Sequence, residues 1–89
     1  MELAERLGKV LKDAGITPRI LHRASGIHYT TIYNYMRFGD QIQPKQDTLE
    51  KLNGVCGKIE NLIKSGSLPF DADTLHKERT EMLARLLQQ

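Results

Sequence analysis

Five residues between positions 29 and 37 carry side chains suited to specific polar recognition: Tyr29, Thr30, Tyr33, Asn34 and Arg37. On a helix they fall within one arc of about 140°, so they would face the same way. Asn34 can pair bidentately with an adenine edge, and Arg37 with guanine or a phosphate. The hydroxyls of Thr30 and of the two tyrosines can reach bases, sugars or phosphates. The chemistry favoured by this row is recognition of a nucleic acid.

The charge of the chain is concentrated around the same row. The 89 residues carry a net charge of +2, and residues 16–45 alone hold four basic side chains against Asp40. No Asp or Glu occurs from Ile16 to Phe38. The remaining segments are balanced or slightly acidic. A local cationic face on a nearly neutral body attracts a polyanion at one place and in one orientation.

Four further residues are predicted to contact phosphates: Thr17, Arg19, His28 and Lys45. Thr17 and Arg19 stand at the start of a predicted helix, where free amides and the helix dipole favour an anion. Lys45 follows Pro44 at the start of the next helix. His28 opens the recognition row, where it would cap the helix or touch a phosphate.

Apolar residues recur at helical spacing along nearly the whole chain, which predicts an all-α fold of five to six short helices. The first helix ends at Gly15, and the second begins with Thr17-Pro18 and ends at Gly26. A third helix covers about residues 28–37, followed by a loop over residues 39–44. Asp71 or Asp73 is expected to cap the last helix.

Two features of these helices remain open. The apolar pattern of residues 47–65 fits one long helix, but Gly54 and Gly57 each cost roughly 1 kcal/mol relative to alanine, so two helices are also possible. In the third helix, Thr31, Ile32, Tyr35 and Met36 are expected to face the core. The alternative for Tyr29 or Tyr33 is that one of them faces the core rather than the solvent.

The order of these features resembles the Cro/lambda-repressor-like (XRE-type) helix-turn-helix family. The matching elements are Leu21 to Ala24, Ser25-Gly26-Ile27, Thr31-Ile32, Gly39, Pro44, and Thr48-Leu49 to Leu52. His22-Arg23 and the two tyrosines of the row depart from the usual pattern. The resemblance implies a helix-turn-helix domain over residues 1–66, with a recognition helix at 28–37 that enters the major groove of double-stranded DNA and groove-reading positions on the row described above.

We therefore expect a small sequence-specific transcriptional regulator, a repressor or Cro-like protein of a bacterium or phage. One alternative is a protein-binding adaptor or inhibitor built on the same scaffold. Another is a DNA-binding antitoxin or packaging subunit.

The C-terminal helix, within residues 67–89, is expected either to pack on the first helix or to form the seam of a homodimer. The tentative seam residues are Leu75, Met82 and Leu86. A dimer is favoured because proteins of this type read two half-sites about one DNA turn apart.

Composition limits the other classes of function. Cys56 is the only cysteine, which fits a cytoplasmic location and excludes an internal disulfide. His22, His28 and His76 do not have the spacing of metal ligands. No residues pair a nucleophile with a base, so we expect neither an enzyme nor a cofactor or small-molecule substrate. No apolar run reaches the ~20 residues of a membrane span.

Overall fold

The computed structural model describes residues 3–39 and 45–88. These residues form five α-helices: α1 Leu3–Ala14, α2 Pro18–Ser25, α3 Tyr29–Phe38, α4 Gln46–Lys64 and α5 His76–Leu87. The all-α prediction is confirmed. The predicted loop after Gly39, together with Pro44, lies outside the described residues.

The boundaries of α1 and α2 are set by the local signals that the sequence predicted. Gly15 closes α1 with a positive φ of 69°, a conformation that glycine adopts without strain. The Thr17 hydroxyl accepts a hydrogen bond from the Ile20 amide (3.2 Å), and Pro18 occupies the first turn of α2. These contacts cap a helix of eight residues that is too short to be stable alone.

The core joins one apolar stripe from each helix. α1 packs against α3 and α4, and α2 packs against α3 and α5. The largest fully buried side chains come from α1 to α5: Leu7, Leu21, Ile32, Leu52, Ile59, Leu83 and Cys56. Burial also raises the pKa of the Cys56 thiol, mainly by desolvation of its charged form. Cys56 therefore packs as a small buried hydrophobic residue.

Residues 46–64 form one continuous helix, which decides between the two alternatives for this segment. Leu52, Cys56 and Ile59 are fully buried along its inner stripe, and this packing outweighs the cost of two glycines. Outside the core, the Arg6 guanidinium of α1 forms an ion pair with the Glu60 carboxylate of α4 (2.6 Å). That contact connects the two helices at the surface.

The N-terminal boundary of the last helix differs from the prediction. α5 begins at His76, with Leu75 at the N-cap position, and neither Asp71 nor Asp73 caps it. Asp71 instead belongs to a turn in which its carbonyl accepts from the Thr74 amide (2.9 Å). The guanidinium of Arg79 holds this turn.

Within the subunit, α5 packs chiefly on α2, and it also contacts α4. Leu83 and Leu87 are buried in the common core, and Leu68 is buried in it as well. The Lys58 ammonium of α4 donates to the Leu87 carbonyl at the end of α5 (3.2 Å). Residues 68–87 therefore complete the core that α1–α4 begin. Among the described residues, no helix has the length and apolar character needed to cross a membrane.

Candidate nucleic-acid interface

The turn between α2 and α3 is fixed by hydrogen bonds of its own residues. Gly26 adopts a left-handed φ of 81°, and its amide donates to the His22 carbonyl (2.8 Å). The Ser25 hydroxyl donates to the Leu21 carbonyl (2.6 Å) and accepts from the Ile27 amide (3.2 Å). Two short helices joined by a short turn that contains a glycine follow the sequence plan of a helix-turn-helix unit. Their relative orientation is set before any ligand binds.

His22 strengthens the same turn, which the sequence did not predict. Its Nδ1–H donates to the Ile27 carbonyl (2.9 Å), since a carbonyl can only accept. Ile27 is buried below it. The only signal in the sequence is that His22 lies five residues before Ile27 across a turn with a glycine. A histidine at this position that is merely exposed on the surface would give the same signal.

All five residues of the predicted row are exposed on the outer face of α3. They divide into two stripes with the same four-and-three spacing. The polar stripe consists of Thr30, Asn34 and Arg37. The apolar stripe begins at Tyr29 and Tyr33, about 100° around the helix. The structure brings the predicted base-reading residues together on one surface.

The core-facing side of α3 is narrower than predicted. Ile32 and Tyr35 are buried and Thr31 is half-buried, but Met36 is 37% exposed. The prediction that Met36 faces the core is therefore wrong. It lies beside Tyr29 and Tyr33 on the wheel, at the edge of the arc that α1 and α2 cover, and it is the third member of the apolar stripe.

Tyr35 is a core residue, as predicted. Its hydroxyl is buried without a hydrogen-bond partner among the described residues, and desolvation raises its pKa. Phe38 is the exposed residue that the sequence analysis missed. It is 44% exposed, and the Arg37 guanidinium lies over its ring at 5.4 Å. Its position about 40° from Asn34 on the wheel was the available signal.

An Arg–aromatic stack connects the start of α2 to the start of α3. The Arg19 guanidinium lies over the Tyr29 ring at 5.6 Å, and the His28 ring stacks on the same tyrosine at 5.3 Å. His22 stands 5.2 Å from His28. Tyr29 therefore positions its neighbours as well as facing outward. Arg19, predicted to contact phosphate, is exposed at the edge of this stack.

His28 occupies the N-cap of α3, and its Nδ1 accepts a hydrogen bond from the Thr30 amide (3.2 Å). Its expected capping role is confirmed. Because Nδ1 accepts, a neutral ring carries its proton on Nε2, which can donate to an anion.

The first turns of the helices differ in charge. α1, α4 and α5 each carry an acidic residue there: Glu5, Asp47 and Glu78. The first turns of α2 and α3 carry none. The positive ends of these two helix dipoles are therefore not compensated by a carboxylate of their own first turn, and they favour an anion. Lys45 is exposed at the N-cap of α4, but Asp47 stands in that same first turn and opposes an anion.

The three residues predicted for a dimer seam do not share one environment. Met82 is 46% exposed and Leu75 is 64% exposed, whereas Leu86 is partly buried against the core. Leu75 and Met82 form the freely accessible apolar part of this end of the molecule.

The chain matches no known family model, and no curated protein or solved structure has significant similarity to it.

Proposed function

We propose that the protein is a sequence-specific DNA-binding regulator that inserts α3 into the major groove. The observation that carries the proposal is the outer face of α3: a polar stripe of Thr30, Asn34 and Arg37, within a helix pair, α2 and α3, whose own sequence contains no Asp or Glu. An α-helix of about 10–12 Å diameter fits a groove about 12 Å wide. Amide, hydroxyl and guanidinium groups are the side chains that distinguish bases there.

The fixed turn supports this proposal because groove reading needs α3 to be held at a set angle. Hydrogen bonds through Ser25, Gly26 and His22 hold the turn before a duplex arrives. The interface therefore loses little conformational freedom on binding, which favours affinity.

Electrostatics supports the same orientation. The N-termini of α2 and α3 open on the side where Thr17, Arg19 and His28 are exposed. Phosphates contacted there would position the duplex without specifying its sequence. In regulation, such a protein acts by occupancy, covering a promoter and excluding polymerase.

A homodimer fits the exposed end of the molecule. Met82 lies between Glu78, four residues before it, and Arg85, three residues after it, and all three are exposed. Two antiparallel copies of α5 around Met82 would bring Glu78 of one copy near Arg85 of the other. Such a dimer would present two copies of α3 to a palindromic site.

The test is a comparison of two alanine variants on selected and random duplexes. Asn34→Ala should cost about 1–3 kcal/mol on the selected sequence and less on random DNA. Arg19→Ala should weaken binding to all duplexes similarly and lower the slope of log affinity against log salt by about 1. Asn61→Ala, which truncates an exposed asparagine of α4 in the same way, serves as the matched control. Wild-type affinity of both variants for every duplex would refute the assignment.

The second candidate function is a protein-binding adaptor, and one observation favours it. Tyr33 is 55% exposed, and exposed tyrosines are frequent anchors of protein interfaces. In that case duplex affinity at physiological salt would be no better than non-specific, and a pull-down would recover a stoichiometric protein.

A further inference from the structure

The apolar stripe of α3 consists of Tyr29, Tyr33 and Met36. These residues are 39%, 55% and 37% exposed and follow one another at spacings of four and three. The polar stripe of Thr30, Asn34 and Arg37 runs beside them, displaced by one residue. The face proposed to read DNA is therefore itself amphipathic, and its apolar half offers a ligand a surface distinct from the polar stripe.

The members of the apolar stripe are not equally free. The Tyr29 ring is contacted by both the Arg19 guanidinium (5.6 Å) and the His28 ring (5.3 Å). No comparable aromatic or cationic contact engages the Tyr33 ring among the described residues. Met36 adds a flexible, polarisable thioether that adapts to an irregular apolar surface. Tyr33 and Met36 are the residues available to a ligand.

The surroundings of the stripe favour a polyanion over a protein as the occupant. No acidic residue occurs from position 16 to position 38, and Arg37 borders the stripe directly on α3. When the polar stripe meets base edges, the geometry of a helix about 10–12 Å wide brings the neighbouring stripe against the same groove floor. An apolar surface in contact with the groove floor loses its bound water. The binding free energy then benefits most when that surface contacts an apolar group on a base.

We propose, on the basis of the proposed DNA-binding function, that Tyr33 and Met36 recognise the C5-methyl group of a pyrimidine. Thymine presents this methyl in the major groove, where apolar side chains contact it. A 5-methylcytosine presents the same group at the same ring position. The structure thereby assigns Met36 as a further specificity-determining residue, and it predicts a methyl-bearing pyrimidine beside the bases read by Asn34 and Arg37.

The experiment changes the DNA one methyl group at a time. In the duplex enriched from a random pool, each thymine is replaced singly by deoxyuridine, which removes only the methyl and keeps the base pair. Affinity is measured by fluorescence anisotropy at fixed salt. At one or two positions per half-site, deoxyuridine should weaken binding about three- to fivefold, the effect of one buried methyl. In a parallel arm, each cytosine is replaced by 5-methylcytosine, and a three- to fivefold gain would identify the methylated base as the source.

The protein side of the test asks which residues sense the methyl. In Met36→Ala and Tyr33→Ala, the difference between thymine and deoxyuridine (or between 5-methylcytosine and cytosine) should shrink to below about twofold. Met82→Ala, at the proposed dimer seam on α5, should lower the affinity for both duplexes equally and keep the full ratio between them. Because Tyr33 and Met36 are exposed, both variants should melt like the parent, which circular dichroism checks.

The outcomes separate this inference from the proposed function. Enrichment of a defined sequence whose affinity is insensitive to every C5-methyl change would overturn the inference and leave the function intact. A methyl effect that persists unchanged in both variants would also overturn it. Failure to enrich any sequence, with wild-type duplex affinity in all variants, would reject both and indicate a protein partner.

Discussion

α3 and α5 both leave large apolar side chains exposed, but the charges around them differ. On α3 the exposed Tyr33 and Met36 stand among arginines and neutral residues, with no carboxylate between positions 16 and 38. On α5 the exposed Met82 stands among Glu78, Glu81 and Arg85. Contiguous exposed apolar side chains, such as Tyr33 and Met36 one turn apart on α3, favour a binding partner. From the sign of the neighbouring charges we propose a polyanion as the partner of α3, and a surface of mixed charge, such as a second copy, as the partner of α5.

The largest expected effect tests whether α5 packs in the core of the subunit. Leu83 is fully buried, so Leu83→Ala should lower the free energy of unfolding by about 2–5 kcal/mol. Its neighbour Met82→Ala should change it by less than about 0.5 kcal/mol, because that side chain is exposed. Urea denaturation measures both. Equal, small losses would show that α5 is not packed as described.

The next effect tests the difference in partner through a matched pair of charge reversals. Arg37→Glu should weaken duplex binding by at least about 1–3 kcal/mol, roughly 5- to 150-fold, because it removes a contact and adds repulsion. Arg85→Glu makes the same change on α5, where it removes the proposed pairing with Glu78 of the second copy, so it should weaken duplex binding less than Arg37→Glu and only through loss of the dimer. The measurement is a titration at fixed salt with both variants. If the α5 reversal is the more damaging, the duplex lies on the other side of the molecule.

A smaller effect is expected on self-association. Met82→Glu places a third carboxylate beside Glu78 and Glu81, and the loss of an apolar anchor should raise the dimer dissociation constant about tenfold. Sedimentation equilibrium measures this change. Met36→Glu is the control on α3 and should leave the dimer unaffected. A parent protein that is monomeric at every concentration would contradict the homodimer proposal directly.

The smallest effect concerns the ion pair between Arg6 of α1 and Glu60 of α4, in contrast to residues 16–38, which include no acidic side chain. The hydrogen bond from Arg6, with the nearby positive charges, lowers the pKa of Glu60 below its ordinary value of 4.5. A carboxylate whose pKa is lowered by folding stabilises the folded state above that ordinary value. This stabilisation disappears as pH falls through the lowered pKa. For a pair this exposed it should be below about 1 kcal/mol.

The check compares the parent with Glu60→Gln by urea denaturation at pH 6 and at progressively lower pH below 4.5. The stability difference between the two proteins should narrow on acidification, because only the parent loses the pair. A difference that stays constant with pH would mean that the ion pair contributes nothing measurable.

Local signals in the sequence predicted most of the face that we assign to DNA. Thr17, Pro18 and Gly26 act through their own backbone neighbours, so their roles could be inferred from types and spacing. The exposed row on α3 follows from helical periodicity. Met36 was misassigned because a wheel gives the relative angles of side chains but not the direction of the core. That direction depends on which helices pack on Ile32 and Tyr35.

The features that sequence could not predict depend on long-range contacts. The continuity of α4 across Gly54 and Gly57 is decided by packing on α1, and the position of α5 is decided by α2. The prediction that Asp71 or Asp73 caps the last helix was wrong for a similar reason. The segment before α5 is organised by Arg79, whose partners lie up to 64 residues away in the chain.

Arg79 also connects two distant segments of the chain. Its guanidinium donates to the carbonyls of Gly15 (2.8 Å), Thr74 (2.9 Å) and Asp71 (3.1 Å), so one planar group ties the C-terminal segment to the α1–α2 corner. Gly15 stands only two residues before Thr17. A chain truncated ahead of α5 would retain every side chain that faces the proposed ligand. It would nevertheless lose the hydrogen bond from Arg79 to the Gly15 carbonyl, which stabilises the turn leading into α2.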